Sequence, residues 1–203
     1  MSRLMRDATI VLLAGGEGRR MGGPKADLLI DGEPILLRAR RRFAAHRMIL
    51  SLRPAQRVAG EEAFDGILYD QQFEASAGEL ALSLVERLGT SGVLLPVDMP
   101  LMDAETLAQL GKALDETPNA VAALFVRSGE IEPMPLAFRP TLAAVLRCRT
   151  EAGDRSLRGL AAEPLVRSVQ LHDDKPGVWT HLNEPADVAR SGLQVSRKPD
   201  ISP

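Results

Sequence analysis

The sequence predicts an α/β fold, in which helices cover both faces of a mostly parallel sheet. Short apolar runs alternate along the chain with segments of helical periodicity, as expected when strands and helices alternate. The first run, "ATIVLLAG", is almost entirely apolar, which is typical of a strand buried on both faces. With 203 residues, 45% of them hydrophobic, the chain is long enough for one sizeable domain with its own core.

The individual elements follow from local signals. Strands are predicted, in chain order, in "ATIVLLAG", "RMILSL", "DGILYD", "GVLLPVD", "AVAALFV", "MPLAFR" and "LVRSVQL". Helices are predicted in "ILLRARRRFAAH" after Pro34, "GELALSLVERLG" ending at Gly89, "AETLAQLGKAL" after the N-cap Asp103, "TLAAVLRCR" and "SLRGLAAE". We expect a Rossmann-like three-layer α/β/α domain over residues 1–192. A loose tail is expected over 193–203, where "LQVSRKPDISP" has turn residues without periodicity.

Charge and cysteine content narrow the functional classes. The 25 basic and 27 acidic residues nearly cancel, so the chain lacks the field that gathers nucleic acid or an anionic membrane. No segment approaches the roughly 18 uninterrupted apolar residues of a membrane span, and the first residues do not resemble a signal peptide, so we expect a cytoplasmic protein. The single cysteine, Cys148, excludes an internal disulfide, and we expect it to be a small buried hydrophobe.

A glycine-rich loop, "LAGGEGRRMGGPK", follows the first predicted strand. It is not a P-loop, because Pro24 precedes its lysine and Ala26 follows it. It is not a dinucleotide fingerprint, because Met21 stands where the third glycine would be. Glycines nevertheless let backbone N–H groups approach an anion closely, while two arginines and Lys25 supply positive charge. The loop therefore predicts a phosphate site, although an ordinary turn with solvated arginines would have the same composition.

A carboxylate in "VLLPVDMPLM" is the candidate metal ligand. Asp98 ends an apolar strand, and a metal-binding carboxylate is what the glycine-rich loop itself lacks. An aspartate after a strand is often a turn residue or a helix cap. Here Asp103 is the better cap for the next helix, which leaves Asp98 without a structural role.

The glycine-rich loop resembles the signature of a known family. The small nucleotidyltransferases of the molybdenum cofactor guanylyltransferase type (molybdopterin-guanine dinucleotide biosynthesis protein A) share the pattern L-A-G-G, three residues, R-M-G, two residues, K. Every fixed position is matched between Leu13 and Lys25. Asp70, "PVDMP", "EPMPLAF" and "LNEPADV" agree in order along the rest of the chain. The resemblance implies a fold of the nucleotide-diphospho-sugar transferase type.

The resemblance also implies an activity and a set of site residues. It implies Mg²⁺-dependent transfer of GMP from GTP to molybdopterin, with release of pyrophosphate. Lys25 would orient and neutralise the triphosphate, Arg20 would stabilise charge on the leaving pyrophosphate, and Asp98 would hold Mg²⁺. These three are the expected catalytic residues. Contacts with the nucleotide are implied for Leu13, Ala14, Gly15, Gly16, Lys25, Ser51, Asp70, Asp98 and Asn183.

Some positions depart from the family pattern or leave the nucleotide open. Gly16 favours GTP, whereas proline before the lysine in "RMGGPK" is similar to the cytidylyltransferase branch and favours CTP. In "AGELAL", Glu79 and Leu82 replace a usual proline and glycine, so this segment is expected to be reshaped. Glu132 replaces a usual histidine, and His181 replaces the first asparagine of N-x-N-T-P. Both segments border the acceptor site in the family.

Other functions remain open alternatives. Besides a molybdopterin cytidylyltransferase, the chain could be another small-acceptor nucleotidyltransferase, or a non-catalytic GTP-binding protein that assists cofactor delivery. Transient contact with other cofactor-biosynthesis proteins or with molybdoenzymes is compatible with an enzyme and with a binding protein. The arginines 38 and 40–42 crowd one predicted helix, which we interpret as a solvated face. They lack the interleaved aromatic residues of a single-strand nucleic-acid platform.

Overall fold

Ten strands and six α-helices follow one another along the chain in the computed structural model, which describes residues 2–70, 75–171 and 177–197. In chain order the elements are α1 (Arg3–Asp7), β1 (Thr9–Leu13), β2 (Leu28–Ile30), β3 (Glu33–Pro34), α2 (Ile35–Arg42), β4 (Met48–Leu52), β5 (Ile67–Tyr69), α3 (Ala77–Leu88), β6 (Gly92–Pro96), α4 (Ala104–Glu116), β7 (Ala122–Arg127), β8 (Glu130–Phe138), α5 (Leu142–Glu151), β9 (Val166–Leu171), α6 (Pro185–Ser191) and β10 (Val195–Arg197). Short 3-10 helices span Arg19–Met21, Lys25–Asp27, Glu61–Ala63 and Arg158–Ala162.

Seven strands form the central sheet in the order β5-β4-β1-β6-β8-β7-β9. β1 pairs in parallel with β4 and β6, and β4 pairs in parallel with β5. β8 alone runs against its neighbours, because it follows β7 through a tight turn, whereas β9 is again parallel to β7. The predicted α/β class with a mostly parallel sheet is confirmed, and every strand predicted from the sequence belongs to this sheet.

Two apolar clusters lie on the two faces of the sheet. β1 shows the alternation directly, since Ile10 and Leu12 belong to one cluster and Val11 to the other. Helices α1, α2 and α4 pack on the first face, and α3 and α5 pack on the second. The result is the expected three layers. Among the described residues, no helix is long and apolar enough to cross a membrane.

A second, three-stranded antiparallel sheet joins β10, β2 and β3. The expectation of a loose tail from residue 193 is therefore wrong for Val195–Arg197. Val195 pairs with Ile30 and packs against the first cluster, so backbone pairing and burial order a segment whose sequence lacks periodicity. Residues 198–203 lie outside the described residues.

Cys148 is exposed, which corrects the expectation of a buried cysteine. Helix α5 buries Leu142 and Leu146, four residues apart on one face. Cys148 is two residues beyond Leu146 and therefore points away from that face.

The arginines of α2 are not a solvated face. Arg38 is only 14% exposed, and it pairs with Asp31 at 3.1 Å. Arg42 donates to the carbonyl of Leu101 at 3.3 Å, and Arg40 to the carbonyl of Ala63 at 3.0 Å. Arg41 is exposed but makes a two-pronged contact with Glu33. All four side chains thus hold neighbouring segments through backbone or carboxylate oxygens, and the expectation of a solvated face was wrong for Arg38, Arg40 and Arg42, which are not exposed.

Candidate active site

The candidate site lies where parallel strands of the central sheet end. Leu13, the last residue of β1, is in register with Ser51 of β4 on one side and Pro96 of β6 on the other. Asp70 follows β5 and donates its N–H to the carbonyl of Leu52 at 2.8 Å. Because these strands are parallel, their carboxyl ends meet at one edge, which is where open α/β sheets bind ligands.

The glycine-rich loop after β1 folds back on itself around Gly18. Its carbonyl accepts hydrogen bonds from the N–H groups of Met21 at 2.7 Å and Gly23 at 3.1 Å. Gly18, Gly22 and Gly23 have positive φ angles, the region that glycine adopts without strain. A Cβ at Gly18 would lie 2.0 Å from the carbonyl oxygen of Gly23, so no other residue fits there.

Lys25, Asp98 and Asn183 form a compact polar cluster at this edge. The Lys25 Nζ donates to Asp98 Oδ2 at 2.5 Å and to Asn183 Oδ1 at 2.6 Å. The Lys25 and Asp98 side chains are each only 15% exposed. The N–H of Leu182 donates to the carbonyl of Asp98 at 2.9 Å, which fixes the Asn183 segment beside the end of β6.

These residues line a first cavity of about 260 Å³, here named the loop cavity. Its lining residues are Leu13, Gly16, Gly18, Arg19, Arg20, Lys25, Pro96, Val97, Asp98 and Asn183. The cavity thus brings three cationic side chains, Arg19, Arg20 and Lys25, together with one carboxylate, Asp98. Such an arrangement suits a polyanion that is bound together with a cation.

Asp98 has one carboxylate oxygen that is available to a cation. Its Oδ1 is buried and has no hydrogen-bond donor among the described residues, while His181 Nδ1 lies 4.0 Å away. Burying a carboxylate oxygen without a hydrogen-bond partner destabilises the folded protein, and a bound cation would offset that cost. No cluster of three or more His, Cys, Asp or Glu able to hold a metal occurs within the described ranges. Mg²⁺ needs none, because one or two carboxylates, phosphate oxygens and waters commonly complete its shell.

A second cavity of about 310 Å³, the Ser51 cavity, adjoins the loop cavity at Leu13. It is lined by Leu13, Gly15, Gly16, Ser51, Arg53, Asp70, Ala75 and Leu80. The Ser51 hydroxyl donates to Asp70 Oδ1 at 3.2 Å. A Cβ at Gly15 would lie 3.3 Å from the Arg53 backbone nitrogen, which favours glycine there. Ala14 is fully buried and lines neither cavity; its N–H donates to the Ser51 carbonyl at 2.9 Å.

Asp70→Asn is expected to stabilise the protein at neutral pH. Burial raises the pKa of Asp70, and the Ser51 hydroxyl, Arg87 and Arg53 oppose that shift. The folded protein then holds the proton more tightly than the unfolded chain, so stability falls as the pH rises from the ordinary to the raised pKa. At pH values above the raised pKa, the folded protein bears the full free-energy cost of burying the charged carboxylate. Asparagine is neutral at every pH and removes this cost.

We expect the temperature of thermal unfolding to rise by about 2 °C at neutral pH in Asp70→Asn. The gain should shrink as the pH falls toward about 4, near the ordinary pKa of an aspartate. Differential scanning calorimetry over this range, with the exposed Asp7→Asn as control, checks both statements. A gain that did not depend on pH would contradict the titration as its cause.

A third cavity of about 370 Å³, the apolar cavity, adjoins the Ser51 cavity at Leu13 and Leu80. It is lined by Leu13, Ala77, Leu80, Ala81, Leu94, Pro133, Met134, Ser156, Leu157 and Arg158. The neighbouring Glu132 lies 3.5 Å from Arg127 Nε, so its charge is partly offset within the chain. His181 lines a separate cavity with Arg127, Trp179 and Arg190.

The segment "AGELAL" is the start of α3, so the replacement of a proline by Glu79 has a local reason. Glu79 Oε2 accepts from the N–H of Ser76 at 2.9 Å, and the Ser76 hydroxyl oxygen accepts from the N–H of Glu79 at 3.3 Å. This reciprocal pair is a capping box, which begins a helix. Leu82 lies within the same helix and is partly buried against the second cluster.

Two residues near the site were missed by sequence reasoning. Arg53 follows β4, lines the Ser51 cavity and pairs with Glu17 of the glycine-rich loop at 2.7 Å. Its place directly after a strand, like that of Asp70 after β5, is a signal that could have found it. Arg197 of β10 binds the backbone of the glycine-rich loop, and no local pattern in the sequence indicates that contact.

Comparisons with known proteins show the family and the fold of the chain. Residues 10–168 match the family model described as a MobA-like NTP transferase domain. A molybdenum cofactor guanylyltransferase of Burkholderia orbicola is 32% identical over 81% of this chain and 86% of its own length. The crystal structure of molybdopterin-guanine dinucleotide biosynthesis protein A from Archaeoglobus fulgidus superposes with a TM-score of 0.74 at 19% identity, covering 90% and 96% of the two chains.

A further solved structure contains a metal ion. A Mycobacterium tuberculosis protein, crystallised in complex with manganese, covers 91% of this chain and 97% of its own with a TM-score of 0.56 at 20% identity. At such identities the structural likeness shows the fold, which is that of the nucleotide-diphospho-sugar transferases. The extent of the family match and the identity to the Burkholderia protein go further: the chain belongs to the MobA-like NTP transferase family.

Proposed function

We propose that this protein transfers GMP from GTP to molybdopterin and releases pyrophosphate. The observation that carries the proposal is the loop cavity, which places Arg20, Lys25 and the unpartnered Oδ1 of Asp98 around one space. Relatives named molybdenum cofactor guanylyltransferase support the choice of both substrates. That the reaction takes place in the cytoplasm remains a prediction.

The chemistry needs positioning and neutralisation of charge. A phosphate oxygen of the acceptor attacks the α-phosphorus of GTP, the bond to the bridging oxygen of the β-phosphate breaks, and pyrophosphate leaves with the electron pair. Lys25, held by Asp98 and Asn183, would orient the triphosphate, and Arg20 would stabilise charge that develops on the leaving group. Asp98 would hold Mg²⁺, which neutralises phosphate charge when bound.

The Ser51 cavity is where we place the nucleoside. It adjoins the loop cavity through the shared Leu13 and Gly16, so one nucleotide could occupy both. Ser51 and Asp70 offer polar atoms for a base or ribose, and Gly15 lets the nucleoside approach the backbone. The acceptor would lie near Asn183 and the apolar cavity, on the side of the triphosphate from which the α-phosphorus is attacked.

A cytidylyltransferase is the second candidate, because Pro24 precedes Lys25. The 3-10 helix at Lys25 begins after Pro24, so this proline shapes the backbone that presents the lysine. A binding protein without activity is a third candidate. It would have no need for a buried carboxylate oxygen that lacks a donor.

The deciding experiment measures pyrophosphate release from GTP, CTP, ATP and UTP, with Mg²⁺ and molybdenum-loaded molybdopterin. Release with GTP alone is the expected result. Release with CTP alone would instead assign the cytidylyl reaction. GTP binding without release under any of these conditions would contradict transfer to molybdopterin and leave the binding protein or another acceptor. Repeating the assay with Mn²⁺ tests how strictly the metal is selected.

A further inference from the structure

The last described strand, β10, contacts the glycine-rich loop through the side chain of Arg197. Its Nη1 donates to the carbonyl of Pro24 at 2.9 Å, and its Nη2 donates to the carbonyls of Met21 and Gly23, both at 2.8 Å. Nε adds a longer bond to Met21 at 3.3 Å. A planar guanidinium with several fixed donors can hold three carbonyl groups at once, which an ammonium group does less well.

Strand register places Arg197 at this loop. β10 runs antiparallel to β2, and Arg197 is paired with Leu28, three residues after Lys25. The side chain therefore starts beside the point where the glycine-rich loop enters β2. The contact joins residues more than 170 positions apart in the sequence.

The residues that Arg197 holds connect Arg20 and Lys25, two of the three cationic side chains that line the loop cavity. Arg20 and Lys25 line that cavity, whereas residues 21–24 and Arg197 do not. Gly22 and Gly23 lie between Arg20 and Lys25 and have positive φ angles. Because glycine has no Cβ, the backbone here has more conformational freedom than it would have with other residues. The hydrogen bonds from Arg197, which lies outside the loop, reduce that freedom. They fix the separation of Arg20 and Lys25 before a ligand binds.

We infer that Arg197 is a positioning residue for the triphosphate. It acts through the carbonyl groups of residues 21, 23 and 24, and it sets the places of Arg20 and Lys25 without touching the ligand. The inference rests on the proposed use of the loop cavity for a nucleoside triphosphate. It gives Val195–Arg197, part of a segment expected to be loose, a role in nucleotide binding.

The test compares Arg197→Ala and Arg197→Lys with Arg167→Ala. Arg167 is an exposed arginine on β9, the edge strand of the central sheet, and serves as the matched control. Calorimetry measures the binding of Mg²⁺-GTP, inorganic triphosphate and guanosine to each protein. Steady-state assays give kcat and KM for GTP, and thermal unfolding reports on the fold.

Arg197→Ala is expected to lower kcat/KM for GTP by about a hundredfold, because small displacements of catalytic groups have large effects. Affinity for inorganic triphosphate should fall by about tenfold, whereas affinity for guanosine should stay within about twofold. Arg197→Lys should recover only a small part of the loss, since one ammonium cannot hold all three carbonyls. Arg167→Ala should leave every reading unchanged.

Two results would overturn the inference. One is that Arg197→Ala retains the wild-type affinity for inorganic triphosphate. The other is that guanosine binding and thermal stability fall together with triphosphate binding, which would make Arg197 a structural residue only. If the wild-type protein binds triphosphate but releases no pyrophosphate, the proposed function fails while the binding measurements still decide the role of Arg197. A wild-type protein that binds neither GTP nor triphosphate would overturn both.

Discussion

Asp98→Asn is expected to lower the rate of pyrophosphate release by about a thousandfold, because the amide cannot hold a divalent cation as a carboxylate does. Asparagine has nearly the same shape, and its carbonyl oxygen can still accept the hydrogen bond from Lys25. The fold should therefore persist. The Mg²⁺ concentration that gives half-maximal release should rise at the same time, and a magnesium titration of the initial rate measures both effects.

Asp7→Asn is the matched control for Asp98. Asp7 is exposed and precedes the amino end of β1, at the opposite edge of the sheet from the candidate site. Its substitution should change neither the rate nor the magnesium dependence. If Asp98→Asn retained the wild-type magnesium dependence, Asp98 would not be a metal ligand, whatever happened to the rate.

Lys25→Ala has the second-largest expected effect, a fall of about a hundredfold in kcat/KM for GTP. The substitution removes a cation from the loop cavity and also takes away the donor to Asp98 Oδ2. Both oxygens of a carboxylate that is 15% exposed would then lack a protein donor among the described residues. Affinity for inorganic triphosphate should fall with kcat/KM, and equilibrium binding measures it.

Two further variants sharpen the test of Lys25. Lys112→Ala removes a lysine that is 72% exposed on α4 and should leave the kinetics unchanged. Lys25→Arg keeps the positive charge but replaces a single nitrogen that serves two acceptors, at 2.5 and 2.6 Å, with a wider planar group. It should restore little activity. Wild-type affinity for triphosphate in Lys25→Ala would be incompatible with the proposed role.

The fold could be predicted where strands are buried on both faces. In β1 and β4 nearly every side chain is apolar and buried, so the sequence signal is strong. β2, β3 and β10 have three, two and three residues, too few for any periodicity to show. Helix α6 was also missed, although Pro185 at its first turn is a recognised start signal.

The site was predictable to the extent that strand ends and residue chemistry define it. The glycine-rich loop, Asp70 and Asp98 each follow an apolar strand, and their side chains could be nominated from that position. Asn183 was reached through family resemblance, since its contact with Lys25 joins residues 158 positions apart. Arg197 had neither signal, because only the pairing of β10 with β2 brings it to the loop.

Leu13 lines all three cavities: the loop cavity, the Ser51 cavity and the apolar cavity. A change in the size of this one side chain alters the room for the phosphates, the nucleoside and the proposed acceptor together. Preference for the nucleotide and preference for the acceptor therefore cannot diverge independently at this position. Pro133 and Met134 line the apolar cavity and neither of the other two. Substitutions at these two positions could therefore change the preference for the acceptor without changing the preference for the nucleotide.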